Sequence, residues 1–330
     1  MNERQHLSAF ARSRANTYSN LSLDREGEFR DRDTDLAQRV RAAGSRFIVL
    51  RHDGRALVDP DSAALRLILN SERGASDRHA SFLGRHASAD YFLCVVDDAE
   101  SDELARQLDA RWLDLRSAGS QLPSFDAGLF AYARALAHWQ ARTRHCPVCG
   151  AMVLLVAAGH RAHCTNPDCA ADQFPRTDAA VIMIVTHDDA CLLGRQASWP
   201  ERRYSALAGF VEPGETLEDA VCREVFEEAG VVVDDCEYHS SQPWPFPASL
   251  MVGFIARAAT REINLGSELQ DARWFSPDDI VRKVRNGEML LSSSVSVAHR
   301  LIKHWLHESA GIDLADLVGQ SESFRAAQAR

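Results

Sequence analysis

The first half of the chain mixes strand-like and helix-like patterns of apolar positions. The segment RFIVLRHDGRALV predicts two strands joined at Asp53-Gly54, a dipeptide typical of hairpin turns. YFLCVV predicts a third strand. DELARQLDARWLDLRSAG and DAGLFAYARALAHWQART have helical spacing, and Asp126 is in position to cap the second helix. Together these elements predict an α+β domain over residues 1–143, with a structural or dimer-forming role.

The second half has a different order of elements. The segment from 146 to 169 is short, bounded by cysteines and strand-like, and it lies in a predicted small domain over residues 144–173. AAVIMIVTHDDACLLGRQ predicts a hairpin, and an acidic helix, further strands and two C-terminal helices follow. Strands with helices on their faces predict an α/β fold, an α/β/α sandwich with a mixed sheet, over residues 174–310. Residues 311–330 are polar and predict a loosely held tail.

Composition and charge exclude some classes of function. The 330 residues, 45% hydrophobic and 25% charged, are ordinary for a globular protein of two or three domains. The net charge of −10 argues against a general nucleic-acid binder, because such proteins carry a basic face. The N-terminal sequence lacks the apolar stretch of a signal peptide, and no apolar run is long enough to span a membrane. We therefore expect a cytoplasmic location and no membrane partner.

Four of the eight cysteines are clustered. CPVC and CTNPDC, with 14 residues between the pairs, form a C-x2-C…C-x4-C pattern made of Cys146, Cys149, Cys164 and Cys169. Pro147, Gly150 and Pro167 favour the tight turns that tetrahedral Zn²⁺ coordination requires. Two disulfides are disfavoured in a cytosolic chain of this size, and a redox pair lacks a surrounding βαβ pattern. We expect a structural Zn²⁺ site, because four cysteines leave no position open for catalysis.

The most acidic helix carries three glutamates on one face. Glu224, Glu227 and Glu228 are spaced i, i+3 and i+4, so like charges stand together on the predicted helix. A divalent cation removes their repulsion, and Mg²⁺ or Mn²⁺ prefers carboxylate oxygens and commonly also binds phosphate. The simpler alternative is an acidic, solvated helix face. Glu215 and Arg223 lie eight residues apart and can meet only if one of them is at the frayed helix start.

The same segment resembles a known family motif. GFVEPGETLEDAVCREVFEEAGV, from Gly209 to Val231, is similar to the Nudix box at every fixed position. The resemblance implies hydrolysis of a nucleoside diphosphate linked to another moiety. It implies that Glu224 and Glu228 bind the catalytic metals and that Glu227 binds metal or activates water. Arg223 is then the residue that orients the glutamates, since its fixed fork suits carboxylate partners.

A proline-rich segment narrows the family. SQPWPFPAS, residues 241–249, is stiff because proline fixes φ and pushes the preceding residue toward extended geometry. It begins ten residues after Val231, and in this position it resembles the specificity signature of the NADH pyrophosphatases, zinc-ribbon members of the Nudix family. Within it, Gln242 and Ser249 are candidates to hydrogen-bond substrate. Trp244 is a candidate substrate contact that could instead only brace the loop.

Further site residues are implied by this resemblance. FPRTDAAVI makes Phe174 a candidate platform for the nicotinamide ring, and Phe210 is a second; ordinary core packing is the alternative for both. SELQDARWF suggests Glu268 as a distal metal ligand, with the carbonyl of Ala208 as another. SVAHRLI places Ala298 near the substrate. The family resemblance also implies a homodimer whose active sites are shared between subunits.

The sequence therefore predicts hydrolysis of the pyrophosphate of NADH and NAD to nicotinamide mononucleotide and AMP, dependent on Mg²⁺ or Mn²⁺. Removal of NAD caps from RNA 5′ ends uses the same bond and stays open as a further activity, with NAD-capped RNA as a substrate. One alternative is a hydrolase that prefers ADP-ribose or another dinucleotide. An alternative of another class is a catalytically dead, nucleotide-sensing zinc-ribbon protein, although no glutamate of the box is missing.

Overall fold

The structure is a computed structural model that describes residues 7–70, 72, 80–314 and 317. The chain forms two compact units. The N-terminal unit consists of Thr17–Thr177 and Pro243–Ala248. The C-terminal unit consists of Met1–Asn16, Asp178–Gln242 and Ser249–Arg330.

Both units contain α-helices and β-strands. The α-helices are α1 (Ala9–Ala15), α2 (Asp33–Arg41), α3 (Asp98–Gln107), α4 (Leu115–Ala118), α5 (Ser124–Arg142), α6 (Leu217–Ala229), α7 (Pro277–Arg285) and α8 (Val297–Ala310). The first strands are β1 (Arg46–Arg51), β2 (Ala56–Val58), β3 (Ile68–Leu69), β4 (Ser81–His86), β5 (Ala89–Val96), β6 (Arg111–Leu113), β7 (Val153–Val156) and β8 (Arg161–Cys164). The later strands are β9 (Asp172–Gln173), β10 (Asp178–His187), β11 (Ala190–Arg195), β12 (Leu207–Phe210), β13 (Val233–Trp244), β14 (Ser249–Ala258) and β15 (Asp271–Phe275).

The N-terminal unit is built on a sheet of order β4-β5-β1-β2-β6, with β3 also paired to β1. The predicted hairpin at the Asp53-Gly54 turn is confirmed, because β1 and β2 pair antiparallel. β1 and β5 run parallel, so this sheet is mixed. Three fully buried aromatic rings, Phe47, Phe82 and Phe92, pack in its core.

Two details of this unit differ from the sequence prediction. The segment predicted as one helix from residue 102 is broken, because Asp109 adopts a left-handed φ of 47° and the chain then forms β6 beside β2. Asp126 does not cap α5, whose N-cap is Pro123. Instead, an Asp126 carboxylate oxygen accepts a hydrogen bond from the Leu65 amide at 2.8 Å, so the side chain ties a loop to the helix.

The segment with the clustered cysteines forms a small sheet of its own. Its strands are ordered β7-β8-β9 and pair antiparallel. Cys146 and Cys149 precede β7, Cys164 ends β8 and Cys169 precedes β9, and this arrangement agrees with the predicted zinc ribbon.

The C-terminal unit is a three-layer sandwich. Its mixed sheet has the order β13-β14-β10-β11-β15, with β12 paired to β10 and with β10 parallel to β14. Successive side chains of a strand point to opposite faces, and β10 shows this clearly. Val181 and Met183 face the cluster that contains α6, whereas Ile182 and Ile184 face the cluster that contains α8. The predicted α/β/α sandwich with a mixed sheet is confirmed.

The chain ends are only partly described. Leu314 and Leu317 are buried in the core beside α8, although the sequence predicts a polar, loosely held tail from residue 311. The rest of that tail lies outside the described residues. The division into residues 1–143, 144–173, 174–310 and 311–330 stays a prediction. Within the described ranges, no helix is both long and apolar enough to cross a membrane.

Candidate active site

Helix α6 begins and ends at defined capping residues. Thr216 and Asp219 form a capping box, in which the Thr216 hydroxyl accepts from the Asp219 amide and the Asp219 carboxylate accepts from the Thr216 amide. Gly230 ends the helix with a φ of 68°, a left-handed conformation that favours glycine. Val221 and Val225 are fully buried against the sheet. This packing sets which face of the helix the glutamates occupy.

Arg223 is the centre of the charged network on this helix. Its Nε donates to Oε1 of Glu215 at 2.5 Å, and its Nη2 donates to Oε2 of Glu215 at 2.9 Å and to the carbonyl oxygen of Phe210 at 2.8 Å. Its Nη1 donates to Glu224 and Glu227, each at 3.0 Å. These hydrogen bonds raise the pKa of Arg223, and they lower the pKa of Glu215 to about 2. One guanidinium therefore fixes three carboxylates and a strand end.

Glu224 lies directly over a glycine of β12. A Cβ atom added to Gly209 would stand 1.8 Å from Cδ of Glu224 and about as close to both of its carboxylate oxygens, 1.9 and 2.1 Å. Only glycine leaves this space. Burial raises the pKa of Glu224, while Arg223 opposes the shift. The carboxylate is thus held against the strand in a cradle that a larger residue would fill.

Glu228 is the most unusual acid of the site. It is only 4% exposed, and its Oε2 is buried without a hydrogen-bond partner among the described residues. Burial raises its pKa to about 8, and the negative charges of Glu224 and Glu268 add to the shift. A buried carboxylate without a partner is costly, so this atom is an acceptor that a bound cation would satisfy.

The remaining predicted ligands lie near these two acids. Glu268 is exposed, and its charge raises the pKa of both Glu224 and Glu228. Ala208 lies on β12 next to Gly209, paired with Ile182 of β10. The oxygen atoms of these carboxylates lie farther apart than the sulfur atoms of the four clustered cysteines. Those sulfur atoms all lie within 4.8 Å of one another, and no other group of potential metal ligands in the described part of the chain is as close.

The four predicted zinc ligands come together. Sγ of Cys146 lies 3.8 Å from Sγ of Cys169, and Sγ of Cys149 lies 3.4 Å from Sγ of Cys164. Both distances exceed the roughly 2.05 Å of a disulfide bond. The backbone amides of Cys149 and Val148 lower the pKa of Cys146, and that of Ala151 is the main cause that lowers the pKa of Cys149 to about 7. Burial raises the pKa of Cys164 to about 12, and the pKa of Cys169 is also raised. The four sulfur atoms nevertheless lie within 4.8 Å of one another, and four clustered cysteines are a donor set of structural zinc sites, so their arrangement fits the ion.

The two candidate aromatic platforms are both exposed. Phe174, in the N-terminal unit, is 60% exposed, and Phe210, in the C-terminal unit, is 59% exposed. Ordinary core packing is therefore wrong for both rings. The backbone carbonyl of Phe210 accepts a hydrogen bond from Arg223, so the backbone that carries this ring is joined to the charged network.

The proline-rich segment forms the turn between β13 and β14, and not one extended stretch. Trp244 packs in the N-terminal unit, with its ring 6.2 Å from that of Tyr18 and 5.0 Å from that of Phe246. The Arg116 guanidinium lies 4.0 Å from the Phe246 ring centroid. Arg134 also donates to the carbonyl of Pro245. These contacts support the bracing role of Trp244.

Three other candidates are buried. Gln242 is fully buried, its amide nitrogen donates to the Val295 carbonyl and its amide oxygen accepts from the Val297 amide, both at 2.7 Å. Because both ends of the amide bind backbone, the predicted substrate contact of Gln242 is not supported in this conformation. Ser249 is 8% exposed, and Ala298 is 1% exposed with its methyl group in the core of α8.

The sequence interpretation missed two supporting features. One is the capping box, which the residues TLED signal. The other is Gly266, where an added Cβ would stand 2.0 Å from the carbonyl oxygen of Glu227. The Gly266 amide donates to the Glu228 carbonyl at 3.0 Å, so this loop lies directly against the helix end. No local sequence signal marks that approach.

Comparisons with known proteins agree with this geometry. The family model of the NUDIX domain matches residues 175–291, and that of the NADH pyrophosphatase-like rudimentary NUDIX domain matches residues 44–139. Together they span more than half of the chain. This protein belongs to the NUDIX family.

The chain is also similar in sequence to individual proteins of this family. The chain is 42% identical over 198 residues to the NAD-capped RNA hydrolase NUDT12 of Homo sapiens, covering 56% of this chain and 43% of that protein. It is 40% identical over 208 residues to the NAD-capped RNA hydrolase NudC of Mycobacterium bovis, covering 59% and 66%. The chain thus spans less than half the length of the human relative. A solved NUDIX hydrolase from Nitrosomonas europaea matches with a TM-score of 0.41 and 24% identity, covering 50% of this chain and 91% of that one.

Proposed function

We propose that this protein hydrolyses the pyrophosphate bond of NADH and NAD, with water as co-substrate and with nicotinamide mononucleotide and AMP as products. The observation that carries the proposal is the buried Glu228 carboxylate, whose Oε2 has no partner within the described ranges. Glu224 and Glu268 add like charge beside it. Such a cluster is costly alone and favourable around a divalent cation.

Four groups would hold Mg²⁺ or Mn²⁺ in this proposal. They are the carboxylates of Glu224, Glu228 and Glu268 and the carbonyl of Ala208. All four offer oxygen, the donor that both ions prefer. When bound, the metal supplies Lewis-acid stabilisation of phosphoryl charge and activates the attacking water. Zn²⁺ at the four cysteines would hold the ribbon together and take no part in hydrolysis.

The protein's own groups position the reaction. Arg223 fixes Glu224 and Glu227 from one nitrogen and Glu215 from the other side of its fork. Ordering these acids before substrate arrives lowers the cost of reaching the reactive geometry. The Glu227 side chain is 58% exposed, so it can reach a water molecule, and it is the candidate to accept the water proton.

Substrate recognition is proposed for the exposed aromatic rings. Phe174 and Phe210 present large apolar faces to solvent, and flat heterocycles such as nicotinamide or adenine stack on such faces. The proline-rich turn is braced by Trp244 and Phe246, which supports a preorganised loop. The names of the relatives support NAD as the recognised moiety.

Removal of NAD caps from RNA is the second candidate activity. It is favoured by one observation, the names of relatives at 40–42% identity. The bond broken and the groups that break it would be the same. The net charge of −10 gives no general attraction for RNA, so binding would depend on the cap.

The test compares initial rates with NADH, NAD⁺, ADP-ribose and an NAD-capped RNA at equal concentration, with Mg²⁺ or Mn²⁺. A preference for NADH or NAD⁺ supports the proposal, and a preference for capped RNA would make removal of NAD caps the main activity. Faster turnover of ADP-ribose would assign the site to the alternative hydrolase. No turnover of the four substrates, with nucleotide binding retained, would indicate a nucleotide sensor.

Two further properties belong to the proposal. A homodimer with shared active sites is proposed from the family resemblance, and sedimentation of the purified chain tests it. A cytoplasmic location is proposed because the four cysteines outside the cluster are free thiols, which persist in reducing compartments: Cys94, Cys191, Cys222 and Cys236.

A further inference from the structure

A cavity in the C-terminal unit is lined by basic side chains. It is open to solvent on one side and has a volume of about 230 Å³ between α1, β13 and α8. Its cationic side chains are Arg12, Arg300 and Lys303, and its acidic one is Glu308. It shares no residue with the glutamate cluster on α6. The cavity is large enough for a small phosphorylated molecule.

The wall of this cavity is built by specific hydrogen bonds. Arg12 Nε donates to the His239 carbonyl at 3.0 Å, and Arg300 Nη2 donates to the Ala15 carbonyl at 3.3 Å. Asn16 Nδ2 donates to the Ser241 carbonyl at 2.9 Å. These bonds fix α1 on β13 and α8, so the basic groups are held around the cavity by the fold.

Two lining residues carry buried nitrogen atoms that lack a partner. Nε2 of His239 and Nε of Arg300 are buried and make no hydrogen bond to any residue that the structure describes. His239 itself is only 3% exposed. Native structures rarely leave buried polar atoms unpaired, and such atoms call for an explanation such as a bound group. Two of them in one basic cavity point to a missing acceptor.

The hydrogen-bond network sets His239 as a donor. Ser240 Oγ accepts from Asn16 Nδ2 at 3.2 Å and lies 2.8 Å from His239 Nδ1. Ser240 is fully buried, so its hydroxyl hydrogen needs an acceptor, and Nδ1 is the acceptor beside it. The imidazole proton then belongs on Nε2. Burial, with His304 and Arg12 adding to it, lowers the pKa of His239 to about 3, so the ring is neutral near pH 7.

Charge favours an anion over a neutral ligand. Three permanent cations face the cavity against the single carboxylate of Glu308, and the Lys303 ammonium also pairs with Asp313 at 3.1 Å. Two more imidazoles, those of His304 and His307, line the wall. A dianion with several acceptor oxygens can satisfy more of these donors than a carboxylate with two.

We propose that this cavity binds a phosphate group, either as free phosphate or as a small phosphomonoester. Arg300 and His239 donate to its oxygens from the buried side, and Arg12 and Lys303 supply positive charge. The site goes beyond the proposed hydrolase function, because none of its residues belongs to the glutamate cluster.

The test is isothermal titration calorimetry of the full chain with inorganic phosphate, with chloride at matched ionic strength as the reference. The wild-type protein is expected to bind phosphate and not chloride. Arg300→Gln is expected to weaken phosphate binding by about tenfold or more, the scale of one charge-assisted hydrogen bond. Lys303→Gln removes one positive charge and is independently expected to weaken phosphate binding by about twofold to fivefold. Lys303→Gln carries the test if Arg300→Gln fails to fold.

Arg282→Gln is the matched control, since Arg282 lies on α7, is 56% exposed and pairs with Asp279 outside the cavity. It should bind phosphate as the wild type does. AMP is titrated in parallel: tighter binding than phosphate that is lost in the same variants assigns the site to a phosphomonoester, and weaker binding assigns it to free phosphate. Absence of phosphate binding, or equal affinity in wild type and both cavity variants, overturns the proposal.

Discussion

Arg223 binds Glu215 through one edge of its guanidinium, with Nε and Nη2 each donating to one carboxylate oxygen at 2.5 and 2.9 Å. The two residues lie eight positions apart, too far for neighbours on a continuous helix. They meet because α6 begins at Leu217, so Glu215 belongs to the preceding loop and folds back over the first turns. This pair joins the loop to the helix that carries the acids.

Arg223→Lys should impair catalysis while the fold is retained. Lysine keeps the charge but cannot bind Glu215 in two places and also reach the Phe210 carbonyl. We expect the turnover number to fall about tenfold to a hundredfold, with a smaller change in thermal stability. Steady-state kinetics with NADH checks this. Unchanged turnover would show that the network does not position the acids. Arg257→Lys, on β14 with a 64% exposed side chain, is the control.

Glu228→Gln should abolish turnover without unfolding the protein. The substitution removes a proposed metal ligand, and the loss of Lewis-acid stabilisation is worth about a hundredfold or more. With its pKa raised to about 8, Glu228 is largely protonated near pH 7 without metal, and glutamine is a neutral side chain of the same shape, so the melting temperature without metal should stay about the same. Glu218→Gln, an exposed acid at the start of the same helix, should keep full activity. Retained activity in Glu228→Gln would contradict the metal assignment.

Gly209→Ala should displace Glu224. The new methyl group would stand within about 2 Å of the Glu224 carboxylate, so the side chain or the strand must shift. When activity is titrated with Mn²⁺, this variant should need an Mn²⁺ concentration about tenfold or more higher to reach half of its maximal activity. Gly44→Ala has open space around its Cβ position and should behave as the wild type. Wild-type metal dependence in Gly209→Ala would show that Glu224 is not a ligand.

Cys146→Ser should affect the ribbon before it affects hydrolysis. Loss of one of four thiolates weakens zinc binding, and zinc affinity contributes folding free energy to such small sheets. We expect a zinc content below one per chain, with a lower melting temperature or soluble yield. Metal analysis and thermal melting measure this. Cys222→Ser, an exposed cysteine outside the cluster, should keep its zinc. A soluble, stable and zinc-free Cys146→Ser protein would contradict a structural role.

Acid should destabilise the N-terminal unit through His160. Burial lowers its pKa to about 4, and its Nε2 lies 2.7 Å from the Phe82 carbonyl, to which the neutral ring donates. The stabilisation is fully present above the unfolded pKa of about 6.5 and is lost as pH falls from there toward 4, because only the unfolded state then takes up the proton. His160→Gln keeps a donor but cannot titrate.

The slope of unfolding free energy between pH 6.5 and 5 should therefore be shallower in His160→Gln, by about 1 kcal/mol per pH unit. Urea denaturation at fixed zinc concentration measures it. His52→Gln changes a 60% exposed histidine and should leave the slope as in the wild type. If the unfolding free energies of His160→Gln and wild type change with pH in parallel, His160 does not cause the loss of stability in acid.

Some elements could be predicted because their signals are local. Turn residues and the spacing of apolar residues, every two residues in strands and every 3.6 in helices, predict three of these elements. They are the Asp53-Gly54 hairpin, the β10–β11 hairpin and the acidic helix. Strand β6 was missed because its three residues sit in a helical pattern, and its pairing with β2 lies more than fifty residues away in the chain. Gln242 was predicted to face substrate because a sequence shows polarity but not burial.

The sequence by itself determined that Glu224, Glu227 and Glu228 share a helix and that four cysteines have zinc-ligand spacing, since both depend on residues close in the chain. It could not tell Glu227 from Glu228. The side chain of Glu227 is 58% exposed, while Glu228 is 4% exposed with a pKa near 8. That difference was decided by tertiary packing, because the burial of a side chain depends on segments that are distant in the chain, and burial is the main cause that raises the pKa of Glu228.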